Sequence, residues 1–330
     1  MTGYQINHYL QGVLDGDRRM LAKTITLLES TRLQDVEQAG RVLSALLPHS
    51  GGAFRVGITG PPGAGKSTFI EAIGMHLVRQ DRRVAVLAVD PSSSRSGGSL
   101  LGDKTRMNEL ATHPGAFIRP SPAGKTLGGV ARKTRESILV LEAAGFDTII
   151  VETVGVGQSE TMVAGMVDFF TLLALPNAGD DLQGIKRGIM EMADAIVVNK
   201  ADGFLLESAK QAARMLGNAL MLQTPVSPNW EIPVLLVSAL KNTGLQEYQN
   251  TLDLFRDRME ASGELEEKRR RQARDWMWEL IDDGLKRRFT AHRDVRDRLS
   301  TLEREVTDGK VTPMAAADRL LAAFGPEGPS

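Results

Sequence analysis

Residues 56–69 run Val56-Gly57-Ile58-Thr59-Gly60-Pro61-Pro62-Gly63-Ala64-Gly65-Lys66-Ser67-Thr68-Phe69, or VGITGPPGAGKSTF. From Gly60 to Ser67 this stretch fits G-x-x-x-x-G-K-[ST], with an apolar strand-like run before it and a helix-like run, FIEAIGMHLV, after it. Strand, glycine-rich loop and helix in that order form the context of a phosphate-binding loop. Glycines let successive backbone N–H groups wrap the phosphates, and the helix N-terminus adds partial positive charge. The lysine reaches the β and γ phosphates, and the serine hydroxyl can ligate magnesium. Gly60, Pro61, Pro62, Gly63, Ala64, Gly65, Lys66, Ser67 and Thr68 are therefore the expected contacts of a nucleotide's phosphates. A second Gly-Lys-Thr, at Gly124 to Thr126, has Arg119 where the first glycine should stand and is not a second such loop.

Outward from this loop, short β-rich runs alternate with helical segments from Phe54 to about Leu240: FRVGITG, RRVAVLAVD, AFIRP, DTIIVET, DFFTLLALP, AIVVNK and PVLLVSA. Nearly continuous apolar strands separated by helices predict an α/β fold of the P-loop NTPase type, with a mostly parallel sheet covered by helices on both faces. Residues 1–50 have helical periodicity, with Asp17 placed to cap RRMLAKTITLLES, and are expected to form an N-terminal helical extension. The nucleotide-binding domain is expected over 51–250 and a C-terminal helical region over 251–330. In that region Ala273, Trp276, Met277, Leu280, Ile281, Leu285 and Phe289 form one helical stripe, suited to a dimer contact or to folding back on the core. Thr312 before Pro313 predicts the cap and first position of a last helix.

The base is read further along. Asn199-Lys200-Ala201-Asp202 follows the strand AIVVN and fits N-K-x-D. Asp202 offers two acceptors to the ring N–H and exocyclic amine of guanine. Adenine would present an acceptor there and leave the carboxylate unpaired, a mismatch that discriminates strongly. Asn199 is expected to brace the loop, and the stem of Lys200 to lie over the ring. Ser238-Ala239-Leu240, after PVLLV, resembles the S-A-x loop that gives a backbone N–H to the guanine oxygen. The expected ligands are GTP and GDP.

Magnesium takes oxygen ligands with acids behind them. Ser67, Asp90 at the end of VAVLAVD, Asp103 after GGSLLG and Glu152 at the end of DTIIVE are the candidates, and Lys66, Asp90 and Glu152 the candidate catalytic groups. Glu152-Thr153-Val154-Gly155 stands where many GTPases have D-x-x-G, whose glycine N–H senses the γ phosphate. Val156 follows in place of the water-orienting glutamine, so unaided hydrolysis should be slow. Gln158 and Asp90 are both candidates to replace it.

Composition closes off several other classes. The chain has 330 residues, 42% of them hydrophobic and 25% charged, with a net charge of -1, so no overall field calls for nucleic acid or an anionic membrane. Zero cysteines excludes disulfides, thiolate zinc sites and thiol nucleophiles, and suits the cytoplasm. The five histidines have no metal-ligand spacing. No apolar run approaches the roughly 18 residues of a membrane helix, and the N-terminus lacks an export signal. The cluster Lys268-Arg269-Arg270-Arg271, with Arg274 and two tryptophans after it, reads as a solvated helix face; nucleic-acid binding is its alternative.

Four further segments carry a resemblance. AVDPSSSRSGGSLLGDKTRM, FIRPSPAGKTLGG, VETVGVGQSE and GDDLQGIKRGIMEMADAIVVNKAD, in that order, resemble the methylmalonyl-CoA mutase-associated GTPase family (MeaB/ArgK), relatives of the human protein defective in one form of methylmalonic aciduria. The likeness spans roughly residues 1–290. It implies a metallochaperone-type GTPase, usually a homodimer, that binds an adenosylcobalamin-dependent mutase, gates its cofactor loading and protects it from inactivation. It also implies phosphate and magnesium roles for Lys66, Ser67, Asp90, Asp103 and Glu152, and a switch that communicates with the mutase at Asp180, Asp181, Gln183 and Lys186. Residues alone read that last loop as a polar connection. Arg106, Lys186 and Arg187 are candidate donors of transition-state charge. No D-x-H-x-x-G cobalamin pattern occurs, so the cobalamin belongs to the partner.

The alternatives are a GTP-dependent metal-insertion chaperone, for which the histidine and cysteine clusters are missing, a nucleotide-dependent kinase linked to amino-acid transport, and a scaffold that holds nucleotide without turnover.

Overall fold

The computed structural model of the chain describes residues 3–89, 107–120, 127–153, 159–176, 187–221 and 227–325. Two compact units divide it, Met1–Arg270 and Arg271–Ser330.

The first unit opens with three helices, α1 (Gly3–Leu14), α2 (Arg18–Glu29) and α3 (Leu33–Leu46). Asp17 caps α2 as expected, accepting from the backbone of Arg19 and Met20. Then follow β1 (Phe54–Thr59), α4 (Lys66–Val78), β2 (Val84–Val89), α5 (Asn108–Thr112), β3 (Ala116–Arg119), α6 (Leu127–Ala143) and β4 (Thr148–Thr153). The second half of the sheet is built from α7 (Ser159–Ala164), β5 (Phe169–Ala174), α8 (Arg187–Met190), β6 (Ala195–Val198), α9 (Leu206–Leu220) and β7 (Val234–Leu236), followed by α10 (Leu245–Ser262). The seven strands form one sheet in the order β3-β2-β4-β1-β5-β6-β7, and every pairing is parallel. All seven β-rich runs of the sequence are strands.

Strand alternation divides the apolar runs between two cores. Phe54, Val56 and Ile58 of β1 and Val84 and Val86 of β2 join Phe69, Ile70, Tyr248 and Phe255 on one face. Ala85, Leu87 and Val89 of β2 turn to the other, which α1 to α3 and α6 cover through Leu21, Ile25, Val42 and Leu141. The N-terminal helices thus share a core with the sheet. Each Val, Leu, Ile or Phe side chain among them contributes about 1.5–3 kcal/mol by leaving water. A parallel sheet puts its ligand-binding crevice beyond the carboxyl ends of the strands, where β1 runs into the glycine-rich loop.

At the opposite, amino end of the sheet lies a correction to the sequence reading. Lys268 and Arg269 are not a solvated basic face. Both belong to α11 (Glu264–Ala291), which crosses the boundary between the two units. Arg269 donates twice to the buried carboxylate of Asp168, at 2.8 and 2.6 Å, and also to the carbonyls of Gly51 and Ala53. Lys268 reaches the Asp168 carbonyl at 2.6 Å and the Asp194 carboxylate at 3.4 Å. Arg55 and Glu142 extend the network as a bidentate pair. The signal missed was pairing: Asp168, buried, and Asp194, half-buried, stand just before β5 and β6, and carboxylates withdrawn from water there call for cations. Arg270 does face solvent, paired with Glu266.

In the second unit, Phe289 of α11 packs with α12 (Arg293–Thr307) and α13 (Pro313–Phe324) around Val295, Leu302, Ala316 and Leu320. Thr312 caps α13 from its hydroxyl, with Pro313 in the first turn, as the sequence predicts. Met277, Trp278, Ile281 and Leu285 stand 38–56% exposed. Trp278 is therefore a surface residue of the single chain.

Candidate nucleotide site

The phosphate loop leaves β1 at Thr59. Gly60, Gly63 and Gly65 all have positive φ, at 154°, 81° and 84°. Side-chain-bearing residues resist this region, and repeated reversal of the peptides turns successive N–H groups into one hollow. Helix α4 then starts at Lys66 with Gly65 at its cap, so its first N–H groups face the same hollow. Lys66 bends back across the loop and donates from Nζ to the carbonyls of Gly60 at 2.8 Å and Pro61 at 3.4 Å. Burial lowers its pKa from the ordinary lysine value, while the nearby carboxylates of Glu152 and Glu160 raise it.

Glu152, the last residue but one of β4, lies beside β1 and is 3% exposed. It accepts the Ser67 hydroxyl at 3.2 Å, which brings together two residues 85 positions apart. One residue later, the Thr153 hydroxyl donates to that of Thr59 at 2.9 Å, a buried tie between the strands that feed the two loops.

The base-reading loops converge from β6 and β7. Asn199, 1% exposed, donates from Nδ2 to the Ala64 carbonyl at 2.8 Å and accepts at Oδ1 from the backbone N–H groups of Lys200 and Ala239 at 2.8 and 3.2 Å. One amide therefore ties the phosphate loop, the N-K-x-D turn and the Ser-Ala-Leu turn together, the bracing expected of it. Lys200 takes a left-handed φ of 61°, and the Asp202 N–H closes the turn on the Lys200 carbonyl at 2.9 Å. Gly65 is required twice over, because a Cβ there would also stand 2.7 Å from Asn199 Nδ2.

Sequence reasoning missed one element of this clamp. Ser238 was expected to act only through its loop's backbone. Its hydroxyl donates to the Asp202 carboxylate and accepts the Lys241 N–H at 3.1 Å. A carboxylate has about four acceptor positions, so one bond from Ser238 orients it and leaves capacity for a base. Leu240 beyond is largely exposed at the mouth of the turn.

The structure thus brings Gly60 to Thr68, Glu152, Asn199 to Asp202 and Ser238 to Leu240 to one end of the sheet. Asp90, Asp103, Arg106, Gly155, Val156, Gln158, Asp180, Asp181, Gln183 and Lys186 lie outside the described residues.

With a phosphate cradle and a carboxylate-bearing base clamp in place, known proteins can be compared. The family model described as methylmalonyl Co-A mutase-associated GTPase MeaB matches residues 21–294. The chain belongs to this family. It is accordingly a P-loop GTPase, as the glycine loop and the N-K-x-D turn predict. Its relatives include a Mycobacterium tuberculosis protein named as a GTPase, 55% identical over 94% of this chain and 92% of that protein. The mouse mitochondrial homologue of methylmalonic aciduria type A is 47% identical over 97% of this chain and 79% of its own length. A crystal structure of an LAO/AO transport system kinase superposes with a TM-score of 0.79 at 36% identity and covers 98% of both chains. Over nearly its whole length, this chain is similar to each.

Proposed function

We propose that this MeaB-family GTPase couples GTP binding and hydrolysis to the cofactor state of an adenosylcobalamin-dependent methylmalonyl-CoA mutase, or a related acyl-CoA mutase, gating cofactor loading and protecting the loaded enzyme in the cytoplasm. The observation that carries the reading is the Asn199 brace: the base reader is hydrogen-bonded to the phosphate loop, so occupancy of one is felt by the other. The family's description and the mouse relative's name supply the mutase.

Magnesium fits the residues present. Magnesium takes oxygen ligands and keeps several of them as water and substrate phosphate, so a hydroxyl with a carboxylate behind it is enough protein for it. The Ser67 hydroxyl and the buried Glu152 carboxylate, adjacent to each other, suit one direct ligand and one acceptor for a bound water. Asp90 and Asp103 are proposed to complete this shell. The bound ion supplies positive charge against the phosphates.

The division of labour among the residues then follows. Lys66 exchanges its loop carbonyls for phosphate oxygens, the loop N–H groups hold the remainder, and Asp202 selects guanine. With Val156 after Gly155, no glutamine orients water there, so GTP persists and loops held by its γ phosphate persist with it. Asp180, Asp181, Gln183 and Lys186 are proposed to carry that state to the mutase, and the exposed Met277, Trp278, Ile281 and Leu285 to join two copies of the chain. The test is the rate of GTP hydrolysis by the purified protein with and without mutase. Acceleration by the mutase is expected, and an unchanged rate contradicts gating.

A further inference from the structure

Two buried threonines meet where the phosphate loop begins. Thr59 is the last residue of β1 and 1% exposed; Thr153 is the last of β4 and 0% exposed. The Thr153 hydroxyl donates to that of Thr59 at 2.9 Å, and among the described residues neither hydroxyl has another partner. Two valines would fill the same space without withdrawing a polar group from water, and a matched polar pair adds little to stability over an apolar pair of the same shape. Stability alone gives no reason for the hydroxyls, whereas their place does.

Ile58 of β1 and Ile150 of β4 belong to the α4 side of the sheet, and Val151 to the other. Alternation puts Glu152 on the α4 side, where it meets Ser67, and Thr59 and Thr153 together on the opposite side. The carboxyl end of β4 is thus tied from both faces to the phosphate loop and its strand. Gly60, next after Thr59, gives its carbonyl to Lys66 and rests on β5, since a Cβ there would lie 2.6 Å from the Leu173 carbonyl oxygen. The start of the phosphate loop is therefore fixed to both flanking strands, to β5 by close approach and to β4 by the hydroxyl pair.

Val154 and Gly155 follow Thr153 in the chain, and Gly155 is the residue read as sensing the γ phosphate. We infer that Thr59 and Thr153 are positioning residues for hydrolysis: their bond sets the strand that delivers the phosphate loop against the strand that delivers the γ-phosphate loop. GDP has no γ phosphate and is held by the phosphate loop and the base clamp, so the pair acts on turnover of GTP and not on retention of GDP. Attack at the γ phosphate needs both loops in place at once, and a misplacement of about 1 Å can cost roughly 100-fold in rate.

This inference rests on the nucleotide reading above. Its test compares wild type with Thr59→Val, Thr153→Val, the double variant and Thr153→Ser by single-turnover hydrolysis of GTP, calorimetric titration of GDP and urea unfolding, all with magnesium. Each single valine variant strands one buried hydroxyl and should unfold at lower urea than wild type; the double variant removes both and should unfold closer to wild type than either. Hydrolysis should not follow that order. It should fall about tenfold in each single variant and stay about tenfold down in the double, with the Kd for GDP within about twofold of wild type throughout. Thr153→Ser keeps the hydroxyl and should hydrolyse GTP within about twofold of wild type. The double and serine variants suffice if a single variant does not fold. A double variant that hydrolyses GTP as wild type does overturns the inference, as does a loss of GDP affinity as large as the loss of rate, or a serine variant as slow as the valine. These results leave the nucleotide reading standing, whereas a wild type that neither binds GDP nor hydrolyses GTP overturns both.

Discussion

The Ser238 hydroxyl donates to the carboxylate of Asp202, and its oxygen accepts the N–H of Lys241. The group that reads guanine is therefore aimed by a residue 36 positions away on another loop. Ser238→Ala removes the aim and leaves the carboxylate free to rotate. GDP affinity should fall by about 1–2 kcal/mol, roughly tenfold in Kd, with the fold unchanged by circular dichroism. Titration of GDP into the variant measures it.

Gly65 combines a left-handed backbone with a close approach to Asn199. Gly65→Ala adds about 1–2 kcal/mol of backbone strain and pushes at the amide that ties three loops together. The variant should melt at a lower temperature than wild type and should gain less from added GDP. Thermal melts with and without GDP separate the two effects.

Arg269→Ala strands the buried carboxylate of Asp168 and frees two carbonyls before β1. Removing one partner of a buried ion pair costs about 3–5 kcal/mol. Arg270→Ala, next door but exposed, should stay within about 0.5 kcal/mol of wild type. Urea unfolding of the two variants makes the comparison.

Tyr248 of α10 is fully buried, and its hydroxyl shares a 2.7 Å hydrogen bond with Thr171 of β5. Burial pushes its pKa well above the usual 10.0, against the pull of the Thr171 bond. Above pH 10 the unfolded chain releases this proton and the folded chain keeps it. The stabilising contribution is therefore complete below that pH and declines as pH rises further. Tyr248→Phe should lose about 1–3 kcal/mol at pH 7, because Thr171 loses its partner, and should show a shallower fall in stability above pH 10. Urea unfolding at pH 7, 10 and 11 tests both parts.

The strands and the glycine loop were legible because each is local. Seven apolar runs need only period and length to be recognised, and Gly60 to Ser67 has its chemistry in eight consecutive residues. Asn199 and Asp202 were legible for the same reason. Ser238 was half legible: its loop was found, but a hydroxyl aimed at a carboxylate on another strand's loop has no sequence signature. Lys268 and Arg269 were misread because a basic run looks the same whether water or paired aspartates lie opposite it. The strand order, with β4 inserted between β2 and β1, is likewise a long-range property.

The central claim is that Asp202 selects guanine for a phosphate loop anchored by Lys66. Its most direct measurement is calorimetric titration of GDP, ADP and xanthosine diphosphate into wild type and Asp202→Asn, all with magnesium. Wild type should bind GDP and discriminate strongly against ADP, and the variant should lose GDP and gain the xanthine nucleotide, whose C2 carbonyl oxygen suits an amide donor. A wild type that takes ADP as well as GDP, or a variant that still prefers GDP, would contradict the account.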